Sequence, residues 1–357
     1  MALAGDNSYD IAYNHDLRTV TGAMRGDFLD IRSIDTIDFS KPWFHGTTDL
    51  LTVGGKLFFD SNQFALSGEY MNIVLAINKD FANNHGIAIP YDKARAGTWY
   101  MDDLIAMTSD LAQDINGDGK MTEDDQYGFL TSYYPQMGIQ SNLGGTVVEK
   151  NSDGMLELNF DEAKLVSILQ KTEELYLSGV KKLDDNSEGG AGVFVKNNSL
   201  FIYVEARVLY RTVRAYDITY GILPFPKLNE AQKDYASSGF DIYWGVLSSA
   251  ADHTDMIGTI VSAMSCYNYN NIVPLIWELI LGSKLSDAPD DAEMFEIIRD
   301  VRYVDLSYAF SGISSKLSNL VFLIGKAKSD SVMSFIESNR EGAELGLETI
   351  NTTFRDM

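Results

Sequence analysis

The sequence predicts an α/β protein built as two lobes, and three observations carry that expectation. Short apolar runs alternate with amphipathic stretches along the whole chain, the pattern of strands layered with helices. The 357 residues exceed the roughly 100 to 200 of one ordinary domain. Hydrophobic residues make up 45% and aromatics 11%, which supports a sizeable core and excludes a disordered chain.

The expected strands are YDIAY (Tyr9 to Tyr13), NIVLAI (Asn72 to Ile77), QYGFL (Gln126 to Leu130), SLFIYV (Ser199 to Val204), YGIL (Tyr220 to Leu223) and YWGVL (Tyr243 to Leu247). Several are apolar at consecutive positions, which marks strands covered on both faces. Asp161 stands as N-cap before EAKLVSILQKTEELYL, with Leu165 and Leu169 on the inner face and Gly179 just past the end. Met294, Ile297, Ile298 and Val301 fall at helical spacing, and Ala251 to Cys266 reads as a core-facing helix. The C-terminal stretch is nearly all helical. Two prolines around one Phe in GILPFPK make a stiff crossover, and the polar stretches Asp184 to Gly192 and Leu281 to Asp291 read as surface loops, the second a passage between lobes.

The net charge of −23 is spread along the sequence and repels polyanions, so nucleic acid is not an expected partner. Cys266 is the only cysteine, which leaves no intrachain disulfide and no thiolate zinc cage; its apolar helical setting reads as a buried thiol. No run of 18 apolar residues is present, so no membrane-spanning helix is expected.

The sharpest local motif is DINGDGKMTEDD, Asp114 to Asp125, which fits a twelve-residue calcium loop. Asp114, Asn116 and Asp118 offer side-chain oxygens at positions one, three and five. Gly119 permits the bend at six, Lys120 offers its carbonyl at seven, Thr122 stands at nine and Asp125 at twelve. Asp at twelve resembles the loops of cellulosomal dockerin modules. The expected cofactor is a structural Ca²⁺, and the alternative is an ion-free turn rich in Asp and Asn.

Enzymatic motifs are missing. None of His15, His45, His85 and His253 begins an HExxH. There is no GxSxG, no GxGxxG after a strand, and the GGK at Gly54 to Lys56 is followed by Leu. A pair of carboxylates for glycoside hydrolysis needs only to meet in space, so a glycosidase stays open as an alternative.

The ordered segments YDIAYNHD, GDFLDI, SKPWF, GGKLFF, VLAINKDFANNHGI, GTWYMDDL, DINGDGKMTEDDQYGF, NLGG and YGILPFP resemble the family 1 extracellular solute-binding proteins, the group that includes maltose-binding protein. The resemblance covers nearly the whole chain. It implies a periplasmic-binding-protein-like fold of class II, with discontinuous lobes joined by hinge strands and a helical C-terminus. Lobe I would comprise residues 1–77 and 222–285, and lobe II residues 78–221 and 286–357. Family members carry an export signal and a first strand and helix before the segment resembling AGDNSYDI, so a start inside lobe I is expected, with the full-length form outside the cell or in the periplasm as an anchored lipoprotein.

The implied activity is non-enzymatic: a monomer that binds a carbohydrate and hands it to the membrane permease of an ABC importer. A peptide or a cationic small molecule is the alternative ligand. Sugars offer an apolar C–H face to aromatic rings and a hydroxyl rim to charged and amide groups. His15, Asp16 and Arg18 follow the first strand, where the family turns polar groups to ligand, or else form a solvated loop. Tyr133 and Tyr134 follow QYGFL, where the family presents an aromatic. Trp43, beside Pro42, is either a stacking ring or a core ring. Glu205 and Arg207 end SLFIYV as ligand groups or as an ion pair. Tyr243 and Trp244 alternate in facing, so one at most reaches a cleft.

Overall fold

The computed structural model describes residues 8–177, 180–183, 190–239, 242–276 and 289–357. The side chains of residues 16, 17, 132–136 and 180–183 fall outside that description, as do the expected loop residues 184–189 and 281–288.

Eleven strands are present among the described residues: β1 (Ile11–His15), β2 (Ile73–Asn78), β3 (Tyr127–Ser132), β4 (Val148–Lys150), β5 (Leu156–Leu158), β6 (Val180–Leu183), β7 (Ser199–Glu205), β8 (Tyr220–Leu223), β9 (Ser237–Ser238), β10 (Ile242–Val246) and β11 (Arg302–Tyr303). Each of the six expected strands forms within two residues of its expected bounds. Two sheets define the two lobes. In the larger, the order is β6-β3-β7-β2-β8; β3 runs parallel to β6 and β7, and β2 runs antiparallel to β7 and β8. Every residue of β2 and β7 is buried, as unbroken apolar runs require when helices cover both faces. The smaller sheet is the antiparallel pair β1-β10.

β2 and β8 are adjacent inside the larger sheet, with Ala76 opposite Ile222. The GILPFP crossover stays with that sheet, because Trp99 Nε1 donates to the Pro224 carbonyl at 3.1 Å and Tyr100 bridges to Lys227. Both expected hinge segments, around residues 77/78 and 221/222, therefore lie within this sheet as β2 and β8. Just before β2, Asn72 bridges to Gly239. The expected boundary at 285/286 lies outside the described residues.

Seven helices matter for the site and its support: α1 (Asp16–Met24), α2 (Tyr133–Asn142), α3 (Glu162–Leu177), α4 (Ala206–Arg211), α5 (Thr254–Tyr267), α6 (Pro289–Asp300) and α7 (Val332–Asp356). Asp161 Oδ1 accepts from Lys164 N at 3.0 Å, which is the expected cap of α3. In α5, Ile257 and Val261 face the core, whereas Met256, Ile260, Met264 and Tyr267 are exposed. The helix is apolar nearly all round, so one face stays outside, and Cys266 is only partly buried.

α6 is fixed to the larger sheet by a buried polar cluster. Asp291 pairs with Lys79, accepts from the Tyr91 hydroxyl, and accepts from Ile222 N at 3.2 Å. Gly221 leaves room for this cluster, since a Cβ there would collide with the Tyr91 hydroxyl and the Asp291 carboxylate. In α7, Phe354 packs on Phe58 at 4.7 Å between ring centroids, Asn351 exchanges two hydrogen bonds with the Leu156 backbone in the β4-β5 hairpin, and Arg340 pairs with Glu162 at the start of α3.

Asp60 is the polar keystone beneath the smaller sheet. Its fully buried carboxylate accepts from the hydroxyls of Thr47 and Thr48, from Ser61 N and from Asn62 Nδ2. Burial raises its pKa from 3.8 to about 6, against the pull of those four donors. The folded state thus holds this proton more tightly than the unfolded chain. The resulting stabilisation is complete below the unfolded pKa and is lost as pH rises through about 6, a change of about 2 to 3 kcal/mol. Asp60→Asn has no proton to lose. In urea titrations the unfolding free energy of the native chain minus that of the variant should fall by about 2 to 3 kcal/mol from pH 4 to pH 7; a constant difference would refute the assignment.

Candidate functional site

Polar side chains gather where the two sheets meet. Ile242, at the start of β10, is paired with His15 at the end of β1, and Ile73, at the start of β2, is paired with Glu205 at the end of β7. The bridge between Asn72 and Gly239 ties these two pairs together. Two strand ends from different sheets are thereby brought close enough for the His15 charge to act on Glu205. Parallel pairing of Thr131 with Tyr203 carries the chain at Tyr133 to the level of Glu205, where α2 begins. Crevices form at such carboxyl ends of parallel strands because the following helices diverge from them.

Glu205 is buried, and its Oε2 accepts from Arg207 Nε at 3.2 Å and from the guanidinium NH2 at 3.1 Å. Burial lifts the Glu205 carboxyl above the ordinary range, and the charges of Arg207 and His15 pull it back. The pair is structural and site-facing at once: it keeps a carboxylate in a desolvated place where its remaining oxygen is an acceptor.

Tyr13 shares the His15 face of β1. It is half exposed, with its ring stacked on Phe64 at 5.6 Å and 22°. Phe64 in turn rests on the edge of Trp244 at 5.0 Å. Desolvation by this packing pushes the Tyr13 hydroxyl up to about 12. The outcome is an aromatic plate with an apolar face and a hydroxyl edge. The sequence reading missed Tyr13 and Phe64; the available signal was Tyr13 standing two positions before His15 in YDIAYNHD.

The other expected residues divide. Trp244 and Tyr243 are both core: Trp244 donates to Asn62 Oδ1 at 3.3 Å, and Tyr243 meets the Phe59 ring edge-on at 5.2 Å. Neither offers a surface to ligand, because each face of β10 is already covered. Trp43 is partly buried against Phe44 and Tyr269. Arg18 is exposed on α1. The side chains of Asp16, Tyr133 and Tyr134 lie outside the described residues, although their backbones open α1 and α2 at the two strand ends.

In the Asp114–Asp125 loop the side chains bond to the loop's own backbone. Asp114 accepts from Gly117 N and Gly119 N, both at 2.7 Å, and Asp125 accepts from Ile115 N at 3.0 Å and Thr122 N at 2.6 Å. These bonds, led by Thr122 N, hold the Asp125 carboxyl below its ordinary range. Gly119 has φ +77°, the left-handed bend the motif anticipates at position six. Among the described residues no three His, Cys, Asp or Glu side chains converge as a metal-binding group, so in this arrangement the loop's carboxylates serve the turn.

A cavity of about 830 Å³ lies on the other face of the same strands. Asn72, Val74 and Ala206 contribute to its wall, while Ile73 and Glu205 alternate to the opposite side. None of His15, Arg18, Trp43, Glu205, Arg207, Tyr243 and Trp244 lines it. The site at His15 and Glu205 is the better candidate for the principal ligand, because there the aromatic plate and the partly desolvated charges converge.

No protein-family model and no curated protein matches the chain. Solved structures do match. An ABC substrate-binding protein from Listeria monocytogenes in complex with cycloalternan is similar at TM-score 0.58 and 15% identity, covering 98% of this chain and 86% of that one. A solute-binding protein from Agrobacterium radiobacter K84 in complex with ribitol gives 0.59 and 13%, over 96% and 86%. The maltose/maltodextrin-binding domain from Bdellovibrio bacteriovorus bound to maltotriose gives 0.58 and 15%, over 99% and 86%. The chain has the two-lobed fold of ABC-transporter solute-binding proteins.

Removing the Arg207 charge takes away the main attraction that opposes burial of Glu205. In Arg207→Met the Glu205 carboxyl should titrate at higher pH than in the native chain, read by carbon-13 NMR of labelled Glu; an unchanged or lower midpoint would break the proposed pairing.

Proposed function

We propose that this chain is the ligand-capturing receptor of a carbohydrate importer. It traps a neutral sugar between its two lobes and delivers it to the membrane permease of an ABC transporter. The observations that carry this reading are the aromatic plate of Tyr13 on Phe64, on the His15 face of β1, and the Glu205–Arg207 pair at the end of β7, two strand ends that the Asn72–Gly239 bridge ties together. An apolar plate matches the C–H face of a pyranose, and a carboxylate with a guanidinium matches its hydroxyls. The fold is shared with proteins solved with cycloalternan, ribitol and maltotriose, which supports hydroxylated ligands for this one.

Closure follows from differential contact. A ligand touching both the β1 side and the β7 side stabilises the state in which the two approach, and the connections between the sheets absorb the rotation. No bond in the ligand is made or broken, so no nucleophile or general base is needed. In this reading the receptor works as a monomer outside the cytoplasmic membrane, tethered there as a lipoprotein. Isothermal titration with a panel of maltose, maltotriose and cyclic glucans tests the reading. Binding is expected for at least one, weakened about tenfold or more in Tyr13→Ala, since a stacked aromatic contributes about 1 to 2 kcal/mol. Heatless titrations with the whole panel, or release of shorter sugars detected by chromatography, would replace the receptor with another function.

The Asp114–Asp125 loop is proposed as a structural calcium site, on the spacing of its oxygens and the left-handed Gly119. Binding would turn Asp114, Asp118 and Asp125 from backbone amides to the ion. Calcium should then raise the melting temperature by about 3 °C or more over chelator, an increment absent in Asp118→Ala. Equal melting temperatures with calcium and with chelator would leave the loop an ion-free turn.

A further inference from the structure

Tyr13 and Trp244 stand directly opposite each other across the β1-β10 ladder, so their side chains leave the sheet on one face. Phe64 rests on both: its ring is stacked on Tyr13 at 5.6 Å and meets Trp244 at 69° and 5.0 Å. The plane of the half-exposed Tyr13 ring therefore depends on where Phe64 is held. Phe64 lies in a turn, outside every strand and helix, so no ladder holds it.

One buried side chain does. Asn62 Oδ1 accepts from Phe64 N at 3.0 Å, closing the turn through its own side chain, and accepts from Trp244 Nε1 at 3.3 Å. A single oxygen thus ties the Phe64 backbone to the indole against which the Phe64 ring rests. The amide nitrogen donates to Asp60 Oδ2 at 2.8 Å, which fixes the way round the amide stands: turned over, it would aim Nδ2 at two donors and Oδ1 at a carboxyl oxygen that already accepts from the Thr48 hydroxyl. Asp60 is in turn fixed to β10, since its backbone exchanges two hydrogen bonds with Trp244, both at 2.9 Å.

We propose that Asn62 is a positioning residue of the front site: its amide sets the Phe64 ring, and through that ring the plane that Tyr13 presents to the sugar. The inference rests on the reading of Tyr13 as the sugar plate. What position 62 requires is two acceptor bonds at one end of the side chain and a match to residue 60 at the other. Exchanging the two side chains, Asp60→Asn with Asn62→Asp, keeps that match with donor and acceptor reversed, because the carboxylate still accepts from Phe64 N and Trp244 Nε1 and now also from the amide at position 60.

The test uses the full chain with carbon-13-labelled tyrosine and the maltose, maltotriose and cyclic glucan panel. Without ligand, the Tyr13 ring signals, assigned by their loss in Tyr13→Phe, should move in Asn62→Ala while those of Tyr127 and Tyr203, buried in the larger sheet, stay in place. A general loss of stability would not single out Tyr13. For whichever sugar the native chain binds, Asn62→Ala should weaken affinity about fivefold or more, and the paired exchange should return both the ring signals and most of the affinity. Asn62→Ser, whose hydroxyl closes the turn to Phe64 N but stops short of Trp244 and Asp60, should fall between, and it carries the test if Asn62→Ala does not fold. Tyr13 signals and affinity at native values in these single variants would overturn the proposal, as would a paired exchange displaced as far as they are. A native chain that binds no sugar would instead overturn the receptor reading, and with it the ligand role of Asn62.

Discussion

β2 is the element on which the rest of the structure depends. It is hydrogen-bonded along both edges, to β7 and to β8, and the residue before it bridges to Gly239. An interior strand buried on both faces has one register that keeps every backbone group satisfied. That register fixes which residue of β7 ends beside Ile73, and so places Glu205. It also fixes the returning chain, which begins β10 and sets its pairing with β1. The site is a consequence of this ladder, since no local motif around His15 or Glu205 would bring them together.

The alternation along β2 and β7 has a second effect. Side chains at successive positions leave the ladder on opposite sides, so one pair of strands serves two different spaces. Glu205 goes to the front with Arg207, and Asn72, Val74 and Ala206 go to the rear cavity. The front gathers an aromatic plate and a desolvated carboxylate; the rear gathers amide and hydroxyl side chains with charges of both signs. The same backbone ladder therefore yields two chemically different environments.

Much of the fold was legible in the sequence. SLFIYV and YGIL are unbroken apolar runs, and an apolar run bounded by turns identifies a buried strand without ambiguity of face. The cap at Asp161 and the inner Leu165 and Leu169 were equally plain, because capping and helical spacing are local. The site was legible only where polarity broke an apolar pattern, as at His15 and at Glu205. For Trp244 and Trp43 the alternatives stayed open because a strand shows that a residue alternates in facing but not what covers each face; Phe64, 180 positions earlier, covers Trp244, and Trp43 lies against Phe44 and Tyr269.

The pairing of β1 with β10 has a consequence for how the chain comes off the ribosome. Ile11 must wait for Val246, whereas every strand of the larger sheet lies between Ile73 and Leu223. The larger sheet can close its ladder while the first seventy or so residues still lack their partner, and such long-range closure is slow and exposes apolar surface in the interval. β1 therefore cannot complete its ladder until the segment Ile242–Val246 is available to it.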